Sequence, residues 1–188
     1  IQTFLRQYHA DDTGPFGVKR ETLDIFIKSL AGYCVITYIL GIGDRHNDNL
    51  MLRSEGHLFH IDFGFILGAD PKIFPPPFKL TSQMVEAMGG EMSEEYEQFK
   101  SYCCSCFLIL RKNANLILNL FSLMVDADIP GIAALGGEKS ILKVQEKFML
   151  DLTDEQAIKE FQDLIQSSVG NVWAPIFDNA HDIAMKFK

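Results

Sequence analysis

A mainly α-helical domain carrying one small β-hairpin is the fold this sequence predicts, and three observations predict it. Apolar residues recur at helical spacing through most of the chain, with glycines and prolines between the periodic segments. One pair of short apolar-rich runs, residues 50–53 and 57–61, flanks the turn signal Ser54-Glu55-Gly56 and reads as a hairpin. With 188 residues, 47% of them hydrophobic, the chain has one domain's length and ample material for a core.

Residues 1–9 place Ile1, Phe4, Leu5 and Tyr8 on one helical stripe, and the breakers Gly14-Pro15 and Gly17 make 10–18 a loop. The next helix is expected over 20–40. Its apolar residues widen toward the C-terminal end, which should be buried all round before Gly41 and Gly43 stop it. Beyond residue 80 the reading is helical: 81–88, 93–111, 114–125, 139–148, 154–168 and 172–186. Ser93 followed by Glu94 and Glu95 is an N-cap with carboxylates at the positive end of the helix dipole, and Thr153 with Gln156 is a capping box. Met84, Met88, Met124 and Met149 read as core filling. In the last helix Trp173, Phe177, Ala180, Ala184 and Phe187 share a face, and Pro175 falls in the first turn, where it is tolerated. That face has two destinations, the rest of the domain or a bilayer met together with Lys186 and Lys188.

The densest chemistry lies between Gly43 and Gly64. Gly-Asp-Arg-His-Asn-Asp-Asn ends at Asn49, the hairpin follows, and His-Ile-Asp-Phe-Gly closes the stretch. Asp44 and Asn49 stand in D-x-x-x-x-N spacing, and Asp62-Phe63-Gly64 comes shortly downstream, the order found in kinase catalytic and metal-binding motifs. A nucleotide triphosphate needs its magnesium held by hard oxygen ligands, which Asn49 and Asp62 would supply once the hairpin brings them together. An alcohol nucleophile needs a positioned acceptor for its proton, and Asp44 and His46 both qualify.

Histidine follows the Asp-Arg pair here instead of preceding an Arg-Asp pair. In this order, and in 58–68, Pro75-Pro76-Pro77 and 115–129, the sequence resembles the phosphatidylinositol 3- and 4-kinases, and among them the class III phosphatidylinositol 3-kinases, over essentially its whole length. The resemblance implies the C-terminal lobe of a protein-kinase-like fold covering 1–188, with a catalytic loop at 43–49, a metal triplet at 62–64, an activation loop at 62–80 and a lipid-engaging terminal helix at 172–187. It implies catalytic roles for Asp44, Arg45 and His46. Met51 and Ile61 would floor the adenine pocket, and Asn49 and Asp62 would bind ATP through Mg2+ (or Mn2+). The implied reaction is phosphorylation of the inositol 3-hydroxyl of phosphatidylinositol in membranes, giving phosphatidylinositol 3-phosphate. Implied partners are the regulatory protein-kinase-like and Beclin-type subunits of the class III complex, and the implied location is the cytoplasmic side of endosomal and autophagic membranes. Residues 63–80 carry only Lys72 and Lys79 against Asp70, so the head group they meet should have few phosphates to neutralise. A glycine-rich loop, a phosphate-binding lysine on a strand and an adenine hinge are not found in the sequence, so the expectation is one lobe of a longer enzyme.

The formal charge of −8 falls mostly in the second half, with about −1 over residues 1–80 and about −7 over 81–188, which argues against a nucleic-acid surface. No stretch of 18 residues is apolar and free of charge, and no signal peptide opens the sequence, so membrane contact is expected to be peripheral. Cys34, Cys103, Cys104 and Cys106 are too few and too clustered for a disulfide framework and are expected as reduced, buried thiols. Two other functions fit the same sequence: a protein serine/threonine kinase of the related superfamily, and a non-catalytic scaffold fragment.

Overall fold

The computed structural model describes residues 1–68, 70, 76–124 and 137–169, so Lys72, Pro75 and the terminal helix expected over 172–187 lie outside the described residues. Seven α-helices and one hairpin make up the described chain: α1 (Gln2–His9), α2 (Arg20–Ile39), β1 (Leu50–Leu52), β2 (Leu58–His60), α3 (Ser82–Ala87), α4 (Glu94–Lys112), α5 (Ala114–Met124), α6 (Glu138–Lys147) and α7 (Asp154–Val169). The mainly helical architecture with a single small sheet is the one the periodicity predicts.

Everything is arranged around α2. It is long and apolar enough to cross a membrane, yet Leu23, Phe26, Ile27, Leu30, Ala31, Val35 and Ile39 are buried in the protein core. Asp24 and Lys28, one turn apart, pair at 2.6 Å on its outer side. α4 lies along α2, the hairpin backs onto it through β2, and α7 packs on α4. Where α2 ends, four buried rings from distant parts of the chain converge: Tyr38 of α2, Phe78, Phe107 of α4 and Phe161 of α7. Phe107 and Phe161 stack at 4.3 Å, and Tyr38 and Phe78 meet Phe161 edge-on at 5.4 Å each. Such pairs favour offset or edge geometry because ring faces are negative and edges positive.

Helix starts follow their capping residues. Ser93 Oγ accepts from the Tyr96 amide at 3.1 Å, and Thr81 Oγ1 accepts from Met84 N–H at 3.3 Å. Thr153 and Gln156 form both bonds of the capping box, at 3.0 and 3.3 Å. Met84 and Met88 are core residues and Met149 packs against the core, but Met124 is 39% exposed. The expectation for Met124 fails because α5 turns sharply from α4, by 66°, and offers the rest of the domain only one side. Cys34, Cys103 and Cys104 are buried and Cys106 is half-buried, all as free thiols, and burial pushes the Cys34 thiol up to about 12.

Candidate active site

α2 delivers the chain to Gly41, where the backbone turns with φ +53°. A Cβ on Gly41 would sit 2.6 Å from the Gly68 amide nitrogen, so only glycine permits the approach of these two strands of loop. Three backbone bonds close it: Gly43 N–H to Phe65 O at 2.9 Å, Leu67 N–H to Leu40 O at 2.7 Å and Gly68 N–H to Gly41 O at 2.8 Å. The segment after Asp62 is thereby laid beside the entrance to the catalytic loop. No sequence signal announced this pairing, because it joins two irregular segments.

The hairpin does the second half of the assembly. β1 and β2 pair antiparallel with Leu50 opposite His60, and the same register continues with Ile61 N–H donating to Asn49 O at 3.0 Å. Asn49 therefore stands opposite the residue before Asp62. Leu50 and Leu58 face the core, while Met51 and Ile61, 46% and 39% exposed, face outward. The two residues expected to floor a nucleotide pocket thus lie together on the open side of the hairpin, away from its core.

Asp44 and Asp62 both adopt left-handed backbone conformations, φ +54° and +59°, which non-glycine residues rarely hold unless the surroundings enforce them. Asp44 N–H donates to Asp70 Oδ2 at 3.2 Å. Asp62 is exposed, and its Oδ1 accepts from Gly64 N–H at 3.0 Å. Asn49 is buried, and its amide nitrogen donates to Asp44 O at 2.9 Å, which leaves the amide oxygen as its acceptor group.

Arg45 holds this arrangement together. Only 8% exposed, it donates from Nε to Gly43 O at 2.7 Å, from Nη1 to Ile61 O at 2.9 Å and from Nη2 to Asp62 O, while Phe63 lies 5.8 Å from its guanidinium. Burial lowers its pKa, countered by Asp44, Asp62 and Asp70. Expected among the catalytic groups, Arg45 has its fork occupied by three carbonyls and ties Gly43 to Ile61 and Asp62.

His46 lies between two carboxylates, with Nε2 3.7 Å from Asp44 Oδ2 and Nδ1 3.8 Å from Asp48 Oδ2. An imidazolium formed there has a negative group on either side. His60, next to Ile61, is 3% exposed and stacks on Tyr33 of α2 at 5.1 Å. Burial, with Arg45 and Lys79 adding repulsion, pulls its pKa down to about 4, so it stays neutral. Lys79, expected on the substrate side of the activation loop, is corrected: it is 6% exposed and its charge acts on His60 inside the lobe. Its neighbours Phe78 and Leu80 are core residues as well, so the segment 78–80 is covered on both sides and Lys79 does not face a lipid surface.

Among the described residues, no group of three or more His, Cys, Asp or Glu is disposed to hold a metal ion. Asn49 and Asp62 nevertheless fit a divalent ion that takes its other oxygens from nucleotide phosphates and water, since such sites use only one or two protein ligands. The helical lobe, residues 43–49 and the adjoining Asp62-Phe63-Gly64 triplet together have the arrangement expected of a kinase-like fold.

The chain belongs to the phosphatidylinositol 3- and 4-kinase family, whose sequence profile matches residues 2–133. It is similar to the Glycine max protein "Phosphatidylinositol 3-kinase, nodule isoform", 60% identical over 96% of this chain and 22% of that protein. It is 58% identical, over the same shares, to "Phosphatidylinositol 3-kinase VPS34" of Arabidopsis thaliana. To the protein of that name from Saccharomyces cerevisiae it is 48% identical over 100% of this chain and 21% of the relative. The chain thus spans about a fifth of the length of the curated relatives it matches. Family membership brings ATP and a divalent metal as general requirements.

Proposed function

We propose that this chain is the C-terminal lobe of the catalytic domain of a class III phosphatidylinositol 3-kinase, transferring the γ-phosphoryl of ATP to the inositol 3-hydroxyl of phosphatidylinositol. The observation that carries the reading is the convergence of Asp44, His46, Asn49 and Asp62 through the hairpin register and the Arg45 fork. The similarity to proteins named phosphatidylinositol 3-kinase supports the substrate and the hydroxyl. A bound Mg2+ would neutralise charge on the transferring phosphoryl, with the Asn49 amide oxygen and the Asp62 carboxylate as its protein ligands. We assign to His46 the acceptance of the proton of the attacking hydroxyl, its two ring nitrogens lying 3.7 and 3.8 Å from the Asp44 and Asp48 carboxylates. Met51 and Ile61 offer an apolar surface to the adenine ring. The enzyme acts on the cytoplasmic face of endosomal and autophagic membranes, with protein-kinase-like and Beclin-type regulatory subunits; the class III resemblance of 41–49, 58–68, 75–77 and 115–129 supports this part.

The test is product analysis with the full-length enzyme, phosphatidylinositol vesicles and Mg2+-ATP labelled at the γ position. Label is expected on the 3-position of the lipid. Label on another hydroxyl, or on protein alone, would remove the assignment in favour of a 4-kinase or a protein kinase respectively.

A further inference from the structure

Beside the catalytic loop lies a cavity of about 450 Å3, in the range of small-molecule sites. Its walls come from the end of α2 and residues 41–43, from Leu67, Gly68 and Asp70, from Pro76 and Pro77, and from α6. Gly43 and Asp70 place it next to the reacting centre, since Asp70 Oδ2 accepts the Asp44 amide.

Two ammonium groups of α6 line this cavity. Lys147 Nζ stands 4.7 Å from the centroid of the Tyr38 ring, on the last turn before the catalytic loop. Lys143 lies against Gly68, its Nζ 3.5 Å from where a Cβ on that glycine would be. Among the described residues, no carboxylate comes within 4 Å of either Nζ. Burial lowers the pKa of Lys147, with Glu146 acting the other way. A cation drawn partly out of water against an aromatic face, without an ion partner, is stabilised when an anion completes the site.

We infer that Lys143 and Lys147 form the seat for the phosphodiester of the inositol lipid head group, orienting its ring so that one hydroxyl reaches His46 and Asp44. This rests on the proposed function and names the residues that read the substrate. The chemistry recognised is a phosphate ester, and two placements identify its source as the head group. Gly43 and Asp70 line the cavity and flank Asp44, so a phosphate held in it lies beside the loop at which the head group's hydroxyl would react. Its remaining charged residues among those described, Asp70 and Glu146, are carboxylates, so no further cation is at hand there for an additional phosphate. The cavity therefore suits a head group with one phosphodiester and disfavours those carrying further phosphates, which the lysine-poor activation segment alone does not explain.

The experiment uses the full-length enzyme with Lys143→Met and Lys147→Met, singly and together, because methionine keeps much of the stem and removes the charge. Substrates are short-chain, water-soluble phosphatidylinositol and, separately, vesicles of neutral lipid doped with phosphatidylinositol. The double variant should raise KM for the soluble substrate roughly tenfold, with a much smaller change in kcat and in KM for ATP. Lys147→Arg should restore most of the loss. Free inorganic phosphate at millimolar levels should compete with the soluble lipid in wild type and lose that effect in the double variant. An unchanged KM for the soluble substrate overturns the inference, as does a defect confined to vesicles, which would mean bulk attraction to the membrane. Loss of kcat with a lower melting temperature that Lys147→Arg fails to restore also overturns it, because the lysines would then brace the fold. Wild-type turnover of the same soluble lipid, measured in parallel, shows independently whether the proposed function stands.

Discussion

Two arginines in this lobe perform the same mechanical task in very different surroundings. Arg111 closes the C-terminal end of α4, donating to Phe148 O and Met149 O at 3.1 Å each and to Leu152 O, with Asp154 as its carboxylate partner. It reinforces a region already fixed by burial: Phe107, Phe148 and Phe161 are fully buried nearby. Arg45 also holds three carbonyls, but it joins two irregular segments whose only regular structure is a pair of three-residue strands. In the helical base the fork is an addition to a hydrophobic core. In the active site it is a principal means of placing groups that must stay open to substrate, because residues facing substrate cannot also be packed away.

If that contrast holds, damage in the two regions should separate into lost chemistry and lost stability. The largest effect is expected for Asp62→Ala in the full-length enzyme: a fall in turnover of at least about 10²-fold, with the melting temperature nearly unchanged, since the change removes the proposed metal ligand and not packing. Retention of more than about a tenth of wild-type turnover would mean that Asp62 is not a metal ligand. Phe161→Ala should show the reverse pattern, destabilising by about 3–5 kcal/mol through the cavity left in the four-ring cluster. At a temperature where the variant is still folded, its KM for ATP should match wild type; denaturant unfolding and steady-state kinetics on one preparation would check both.

His60 lies where the two regions touch and lends itself to a pH measurement. Its folded pKa is depressed to about 4 from the ordinary 6.5, so above pH 6.5 it is neutral in both states and stability is at its full value. As pH falls from 6.5 toward 4 the unfolded chain takes a proton that the folded chain refuses, and stability drops by up to about 3 kcal/mol. His60→Phe keeps a ring against Tyr33 and cannot titrate, so unfolding midpoints measured across this window should decline less steeply than in wild type. A smaller effect belongs to Arg111→Lys, which loses the planar fork while keeping charge; a cost of about 1–2 kcal/mol in stability, with turnover unaltered, is expected from thermal unfolding and kinetics.

Much of this was readable in advance, for reasons that differ by element. The helices over 93–111 and 154–168 announced themselves through local chemistry, Ser93 and the Thr153–Gln156 box, and the structure starts them where those caps stand. The spacing of Asp44, Asn49 and Asp62 is also local, because the hairpin that unites them is encoded between them. The pairing of 40–43 with 65–68, the burial of Lys79 and the seat of His60 against Tyr33 depend on which distant segments meet. Neither periodicity nor composition carries that information. Gly41 looked like a simple helix stop. Its second role, admitting Gly68 to within contact, required the partner strand to be known. The cavity beside α6 had no linear signature either, since Lys143 and Lys147 are an ordinary polar helix face until Tyr38 and Gly68 are placed against them.

The measurement that tests the contrast most directly is Arg45→Lys in the full-length enzyme, with kcat and melting temperature determined on the same sample. Lysine keeps the positive charge but cannot bridge Gly43, Ile61 and Asp62 at once. If the fork places the catalytic loop against the metal triplet, kcat should fall about 10²-fold from misplacement of order 1 Å, while the melting temperature shifts by only a few degrees. A variant that loses stability in step with activity, or one that keeps wild-type kcat, would contradict the assignment of Arg45 as the element that positions the site.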